Sequence, residues 1–335
     1  MKLTLPFTRT LSLAIILLSC CSSTVFGQLT GTKNIPGDYA TITTAVTALN
    51  SAGVGAGGVT FNVAAGYTET ITATISVTAT GTVANPILFQ KDPATTGANP
   101  LILAYTTGVG TPVTAIQDGI WRLTGSDYIT IDGIDVSDNP VNTSNPATME
   151  YGYALYKASI SNGCQFVTIK NCVITLNNIN NALGTAPMVD GSAGIIVMNA
   201  TATAAITPLT PVAGGTNSNN QFYSNTIQNC NTGIALIGYV AGTPFTLADA
   251  NNDVGGSAAA TGNTIINFGG AAGATVPSAG IRTLAQYGIN ISYNVINSNN
   301  GSGANHPEVL RGIYTNTATS ASATITYNTI TLKGG

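Results

Sequence analysis

The sequence predicts an all-β chain wound as a solenoid, and three observations carry that prediction. The first is a recurring motif: hydrophobic–x–hydrophobic, a bend at Asn or Gly, then hydrophobic–x–hydrophobic. Its copies begin at Val167, Phe222, Ile289 and Ile325, with a shorter form at Gly262-Asn263-Thr264-Ile265-Ile266. The bend asparagines Asn171, Asn225, Asn263, Asn294 and Asn328 lie 54, 38, 31 and 34 residues apart. A constant motif at an irregular period means a constant core with loops of variable length. The second is a Gly-Ile marker that alternates with the first, at Gly194, Gly233, Gly280 and Gly312, and opens a further strand of each coil. The third is period-two alternation. Ile and Val fall on one side of each strand, and Thr, Ser and Asn on the other. Asn also tolerates the left-handed backbone of a sharp bend, and stacked Asn side chains can hydrogen-bond along the axis. An antiparallel sandwich also has short strands, but it explains the repeated bends less well, and two-residue hairpin signals are scarce.

Composition agrees with a packed β chain. Charged residues are 7% of 335, Gly numbers 38, and 44% of residues are hydrophobic. The net charge is −3, and it becomes −5 when Lys2 and Arg9 leave with residues 1–27, which contain no acids. A mildly acidic chain without a basic run does not suit nucleic acid.

At the N-terminus, Lys2 and Arg9 precede the apolar stretch 11–18, and small residues lead to Gly27. This is a signal-peptide layout, with cleavage expected after Gly27 and a secreted or outer cell-surface location. The stretch is short for a membrane span, and no later segment is a better candidate, so the mature chain is expected to lack a transmembrane segment. A lipoprotein site at Cys20 is the rival, but Leu18 fits it poorly. Residues 28–58 read as an N-terminal cap. Ile42, Ala45, Val46 and Leu49 share one helical face, with Asp38 or Thr41 to cap the helix, and such a helix covers the open end of a first coil. Gly53 to Gly58 reads as a flexible turn, and residues 59–335 as the repeats.

The first strand expected is 59–63, followed by strands at 71–77, 87–90, 101–104 and 120–123. Residues 128–136 form the clearest corner, with Ile129, Ile131, Ile134 and Val136 inward and Gly133 at the bend. Polar loops fall at about 137–150, 177–192, 199–219, 239–261, 268–279 and 297–310, and solenoid insertions tend to gather on one face. The last strand, 329–332, has no capping helix after it, which raises the expectation of a fragment. Of the cysteines beyond the signal, Cys164, Cys172 and Cys230 read as small core-filling residues.

These residues resemble the right-handed parallel β-helix proteins of the pectin-lyase-like superfamily. The stretch 121–134 looks like one of its rungs, and residues 35–42 with 66–71 are similar to the opening of pectin methylesterases. Residues 81–89 look like early rungs of large surface β-helix proteins of type IX-secreting bacteria. The resemblance implies a right-handed parallel β-helix and admits three carbohydrate chemistries. Gln117-Asp118 matches one methylesterase dipeptide. Paired carboxylates of the polygalacturonase kind are missing, and the sole histidine, His306, reads as a solvated loop residue. For a pectate-lyase site, Asp132, Asp135 and Asp138 are candidate calcium ligands, with Arg122 one rung earlier. The weak catalytic candidates are therefore Asp132, Asp135, Arg122 and Gln117.

Tyr151, Tyr153 and Tyr156 cluster after a loop and are candidates for stacking on sugars, and Tyr223, Tyr239, Tyr287, Tyr293 and Tyr314 recur later, where an outward column would make a carbohydrate platform. With carboxylates so scarce, the sequence reads as a non-catalytic, adhesin-like or carbohydrate-contacting rod that works by multivalent display to extracellular glycans. A polysaccharide-active enzyme of lyase, polygalacturonase or methylesterase type is the alternative.

Overall fold

A computed structural model of the chain describes residues 27–270, 273–298, 306–316 and 318–333. The signal segment through Phe26 and Cys20 lies outside the described residues. The chain winds as a right-handed parallel β-helix of three sheets. Sheet A has nine strands, sheet B eight and sheet C seven. Among the described residues, seven coils visit A, B and C in turn: for example Ile129–Asp132, Asp135–Ser137 and Tyr151–Lys157, then Thr168–Lys170, Val173–Thr175 and Ala193–Thr201. Every coil stacks in register on the last, about 4.8 Å away.

Register turns the alternating pattern into internal columns. Sheet A stacks Phe61, Phe89, Ile131, Ile169, Phe222, Val254 and Ile291. Sheet B stacks Ile102, Val136, Ile174, Ile227, Ile265 and Ile296. All thirteen are buried. Near the N-terminal end the core is aromatic: Phe61 stacks on Phe89 at 4.5 Å, and Trp121 meets Phe89 edge-on at 5.2 Å.

The corners are more specific than the bend asparagines suggest. Between sheets A and B the left-handed residues include Gly133, Asn171, Ser224, Gly255, Tyr293 and Tyr327. The motif asparagines Asn225, Asn294 and Asn328 follow that residue by one position, so the left-handed bend falls to their neighbours. Asn171 is the exception and takes the bend itself. Burial gives the others a different task. Asn225, Asn263, Asn294 and Asn328 stack as a ladder in which the Oδ1 of Asn263, Asn294 and Asn328 each accepts both the backbone N–H and the amide of the asparagine one coil earlier, at 2.9–3.2 Å, and Asn225 Oδ1 accepts from Cys172 N. Each amide also donates to a carbonyl of sheet A, as Asn263 does to Phe222 O at 2.8 Å. The ladder satisfies corner groups that the sheets leave unpaired. A second ladder, unseen in the sequence, runs through Asn220 and Asn252 at the corner between C and A.

The Gly-Ile marker opens strands of sheet C, as expected. Its glycines stand in a column behind the sheet B isoleucines. A Cβ on Gly194 would strike Ile227 and lie 2.8 Å from Gly233 O, so no larger residue fits.

Helix α1, Ile42–Ala52, is the predicted cap. It buries Ile42, Ala45, Val46 and Leu49, and Thr41 caps it. Its first two N–H groups donate to the Glu69 carboxylate at 2.8 and 3.2 Å, which places a negative charge at the positive helix end. Two readings of this region change. A strand at Leu29–Ile35 precedes the helix and pairs with the next strand of sheet A. Residues 53–58 are not a free turn, because Val54–Val63 is continuous, with Gly57 and Gly58 at positive φ.

Long insertions leave the coil on both sides of sheet C and fold over its outer face. There they bury a second apolar cluster in which Met188, Val189, Ala202 and Ala205 cover Tyr151, Tyr156, Ile196 and Met198. Among the described residues, sheet A carries no such roof.

Candidate functional site

The outer face of sheet A brings charged and aromatic side chains into one open row. Asn62, Gln90, Asp132, Lys170 and Tyr223 occupy the same register on five successive strands. Period two turns all five outward, since the intervening positions fill the core. Lys170 Nζ lies 3.1 Å from Asp132 Oδ2 and 6.0 Å from the centre of the Tyr223 ring. Asn171 donates to the other Asp132 oxygen at 2.6 Å, so the carboxylate is held from two sides. Burial draws the Lys170 ammonium down, but the Asp132 hydrogen bond and charge, with Tyr223, leave its pKa above the ordinary lysine value. The cation is therefore fixed and remains partly accessible, with its side chain 27% exposed.

Aromatic residues line the rims of this face, and their backbone is unusual. Tyr128 and Phe166 stack at 4.6 Å on the rim toward sheet C, both at positive φ. Tyr293 and Tyr327 stack at 4.8 Å on the rim toward sheet B, again at positive φ. A bulky residue in the left-handed region is strained, and such strain concentrates at functional sites. Beside the Tyr128–Phe166 pair lies a hollow of about 370 Å³ lined by Thr168, Asn219, Gln221 and Asn251. Gln221 is shared with a second hollow of about 270 Å³ that includes Tyr223, Asp253 and Thr261. The face therefore offers flat rings, amides, hydroxyls and one fixed cation, which is the chemistry that recognises sugars.

The residues singled out in the sequence fare unevenly. Asp132 belongs to the row. Asp135 sits past the corner in sheet B, where Asn99 Nδ2 and Val173 N each donate to it at 2.8 Å. Burial raises its pKa, and those two hydrogen bonds oppose the rise. Asp138 is buried in the following loop and accepts from Asn139 N, Asn142 Nδ2 and Met149 N. Three aspartates in three environments do not form the oxygen cage calcium needs, and among the described residues no group of three acidic, His or Cys side chains is placed to hold a metal. Arg122 lies on sheet C and donates to Ser76 Oγ at 3.1 Å, away from the Asp132 corner. Gln117 is buried, and its amide donates to Thr114 O. The four catalytic candidates do not converge.

The tyrosine platform is also corrected. Tyr151 and Tyr156 lie on the outer face of sheet C, but the loops bury them completely, and Tyr153 points into the core beside Trp121. None can stack on a sugar. His306 is likewise buried rather than solvated. Gly270 N donates to its Nδ1 at 3.0 Å, and its Nε2 donates to Val276 O; burial lowers its pKa, and the bond to Val276 opposes the shift. Cys164, Cys172 and Cys230 are buried free thiols whose pKa burial pushes up to about 12, in keeping with a core-filling role.

Tyr223 and Tyr293 stand in the tyrosine recurrence of the sequence, but Lys170, Tyr128 and Phe166 were not singled out, and none was placed in one site with Tyr223. Their common signal is position: each pair sits at the same offset from the repeated motif on neighbouring coils. Aligning the coils by their inward isoleucines would have exposed it.

Under the sheet C loops lies a different chemistry. Glu150 is fully buried, accepting from Asp118 N at 2.6 Å and Asn180 Nδ2 at 3.0 Å. Burial pushes its carboxyl up to about 8, against the pull of those hydrogen bonds. Lys157 and Asp249 form an ion pair at 3.4 Å with both side chains wholly inaccessible. These groups hold loops down and are closed to a polymer.

No family model matches the chain, and no curated protein does. Among solved structures, an alginate lyase from Paenibacillus sp. str. FPU-7 is similar over 86% of this chain and 94% of its own, at 15% identity and a TM-score of 0.45. The likeness is one of chain course alone. Among the described residues, no helix is long and apolar enough to cross a membrane.

Proposed function

We propose that this chain is a secreted or cell-surface β-helix that contacts extracellular polysaccharide along the outer face of sheet A. The observation that carries the reading is the in-register row Asp132–Lys170–Tyr223 beside the Tyr128–Phe166 stack, with a second stack, Tyr293–Tyr327, farther along the same face. A linear glycan laid across the strands would meet rings on its flat faces and amides on its hydroxyls. Lys170 would meet a carboxylate if the sugar is a uronate. Several weak contacts along one rod add up by avidity, as an adhesin-like protein requires. The signal-peptide layout supports the location, and the early rungs that resemble surface proteins of type IX-secreting bacteria support a place on the outer surface.

A second reading has a specific observation in its favour. Tyr223 lies beside the Lys170 ammonium, and a phenol next to a fixed cation is a candidate acid–base pair for polysaccharide cleavage. The test is turnover by residues 28–335 on pectins, alginates and neutral glycans, with and without calcium, following unsaturated-product absorbance, methanol and reducing ends. The binding reading expects saturable binding of an acidic glycan without product, weakened by Lys170→Ala. Turnover abolished by Tyr223→Phe would replace it with the lyase reading. Binding unaffected by Lys170→Ala and Phe166→Gly would remove sheet A from the account.

A further inference from the structure

The outer face of sheet C changes character toward its C-terminal end. Over Tyr151–Lys157 it is fully buried, but on Ser278–Leu284 and Leu310–Asn316 its outward side chains are half-buried. Arg282 lies in register with Tyr314 on the neighbouring strand, and Arg311 stands three residues before Tyr314. Both guanidinium groups converge on that ring, Arg311 at 4.4 Å from its centre and Arg282 at 6.0 Å.

Two cations on one ring repel each other, and little nearby offsets them. Asp190 Oδ2 is 3.7 Å from Arg282 Nη1, beyond hydrogen-bond reach, so it reduces the field without occupying the N–H donors. Among the described residues, Arg311 takes part in no ion pair. A guanidinium stacked on an aromatic face keeps its N–H edge free in its own plane, where a planar or tetrahedral oxyanion docks in two-pronged fashion. In a chain with 10 basic residues in total, placing two arginines on one tyrosine is a local excess of positive charge that calls for a counter-anion.

We infer that Arg282, Arg311 and Tyr314 form a binding site for an oxyanion, the carboxylate or sulfate group of a ligand, separate from the sheet A face. Tyr314 fixes the plane of Arg311, and Arg282 supplies the second charge. The site does not depend on the sheet A reading, because its probe is a small anion and its residues lie on another sheet.

The test is a titration of residues 28–335 with sodium sulfate and with sodium acetate at low ionic strength, where exposed charges are least screened. The readout is the arginine Nε–H resonances. Arg282 and Arg311 should shift together and saturably with at least one anion, while Arg122 stays still. Response to acetate alone identifies a carboxylate site, and response to sulfate alone a sulfate site. Arg311→Ala should weaken the interaction about tenfold. Arg311→Lys should also weaken it, because lysine keeps the charge but loses the fork. Lys170→Ala should leave the titration unchanged, so a failed sheet A reading and a failed anion site are told apart. No shift at Arg282 or Arg311 with either anion, or equal binding by folded Arg311→Ala, would overturn the site.

Discussion

Sheets A and C share one inner core and have opposite outer faces. Both stack aliphatic and aromatic residues inward in strict register. Outward, sheet A presents Thr, Asn, Gln and the Asp132–Lys170–Tyr223 row to solvent, while the middle of sheet C carries Tyr151, Ile196, Met198 and Ile237 under a roof of loops. Ionisable groups follow the same division. On sheet A the ion pair is partly exposed, with 27% and 26% of its two side chains accessible, whereas on the sheet C side Lys157–Asp249 is sealed. Charge that stays accessible at a strained, aromatic rim can meet a ligand. Charge that is buried and paired serves to hold loops.

The largest effect expected from this contrast is on the sealed pair. Lys157→Ala leaves the Asp249 carboxyl buried without its cation, and should cost about 3–5 kcal/mol in denaturant unfolding. Replacing both residues with apolar ones of similar size should recover most of that loss. If Lys157→Ala were nearly neutral, the roof would not depend on the pair.

Next comes the corner ladder beneath both faces. Asn263→Ala removes the acceptor for Asn225 and the donor to Phe222 O and Asn294, and should cost about 2–3 kcal/mol. The same change at Asn171, which is exposed and takes the bend itself, should cost clearly less.

Glu150 makes the difference between the faces depend on pH. Its folded pKa, about 8, lies above the ordinary glutamate value, so the folded chain holds a proton that the unfolded chain releases. The stability it contributes is fully present below the unfolded pKa and is lost as pH rises through about 8. Between pH 5 and pH 9 the melting temperature should therefore fall, and Glu150→Gln should flatten that slope. An unchanged slope in Glu150→Gln would mean that Glu150 is ionised under its roof.

The smallest stability effect is expected on sheet A, with the clearest effect on binding. Phe166→Gly relieves a left-handed backbone but loses the stack on Tyr128, so stability should move by less than about 1 kcal/mol. Glycan affinity should nevertheless drop, which equilibrium binding beside a thermal melt will report.

The inner half of this architecture was legible in the sequence because an inward position repeats on every coil. Ile129, Ile131, Ile134 and Val136, the face of α1 and the Gly-Ile openings all follow from spacing alone. The outer half was not, because it depends on where insertions fold. Tyr151 and Tyr156 occupy outward positions, and nothing local says that residues 177–206 will cover them. Asp132, Asp135 and Asp138 are neighbours in sequence, yet a coil that turns a corner at Gly133 sends them to different faces. Lys170 and Tyr223 are 53 residues apart, and only the coil register makes them adjacent. The bend asparagines were visible as a repeat, but which of them bends and which bonds the next coil is decided by burial.

The most direct measurement is hydroxyl-radical footprinting of the full chain with and without an acidic oligosaccharide, reading oxidation at Tyr128, Phe166 and Tyr223 against the buried controls Tyr151 and Tyr156. The account expects the three sheet A aromatics to be protected on binding, and that protection to be lost in Lys170→Ala. Protection confined to the loops over sheet C, with the sheet A rings oxidised as before, would contradict it.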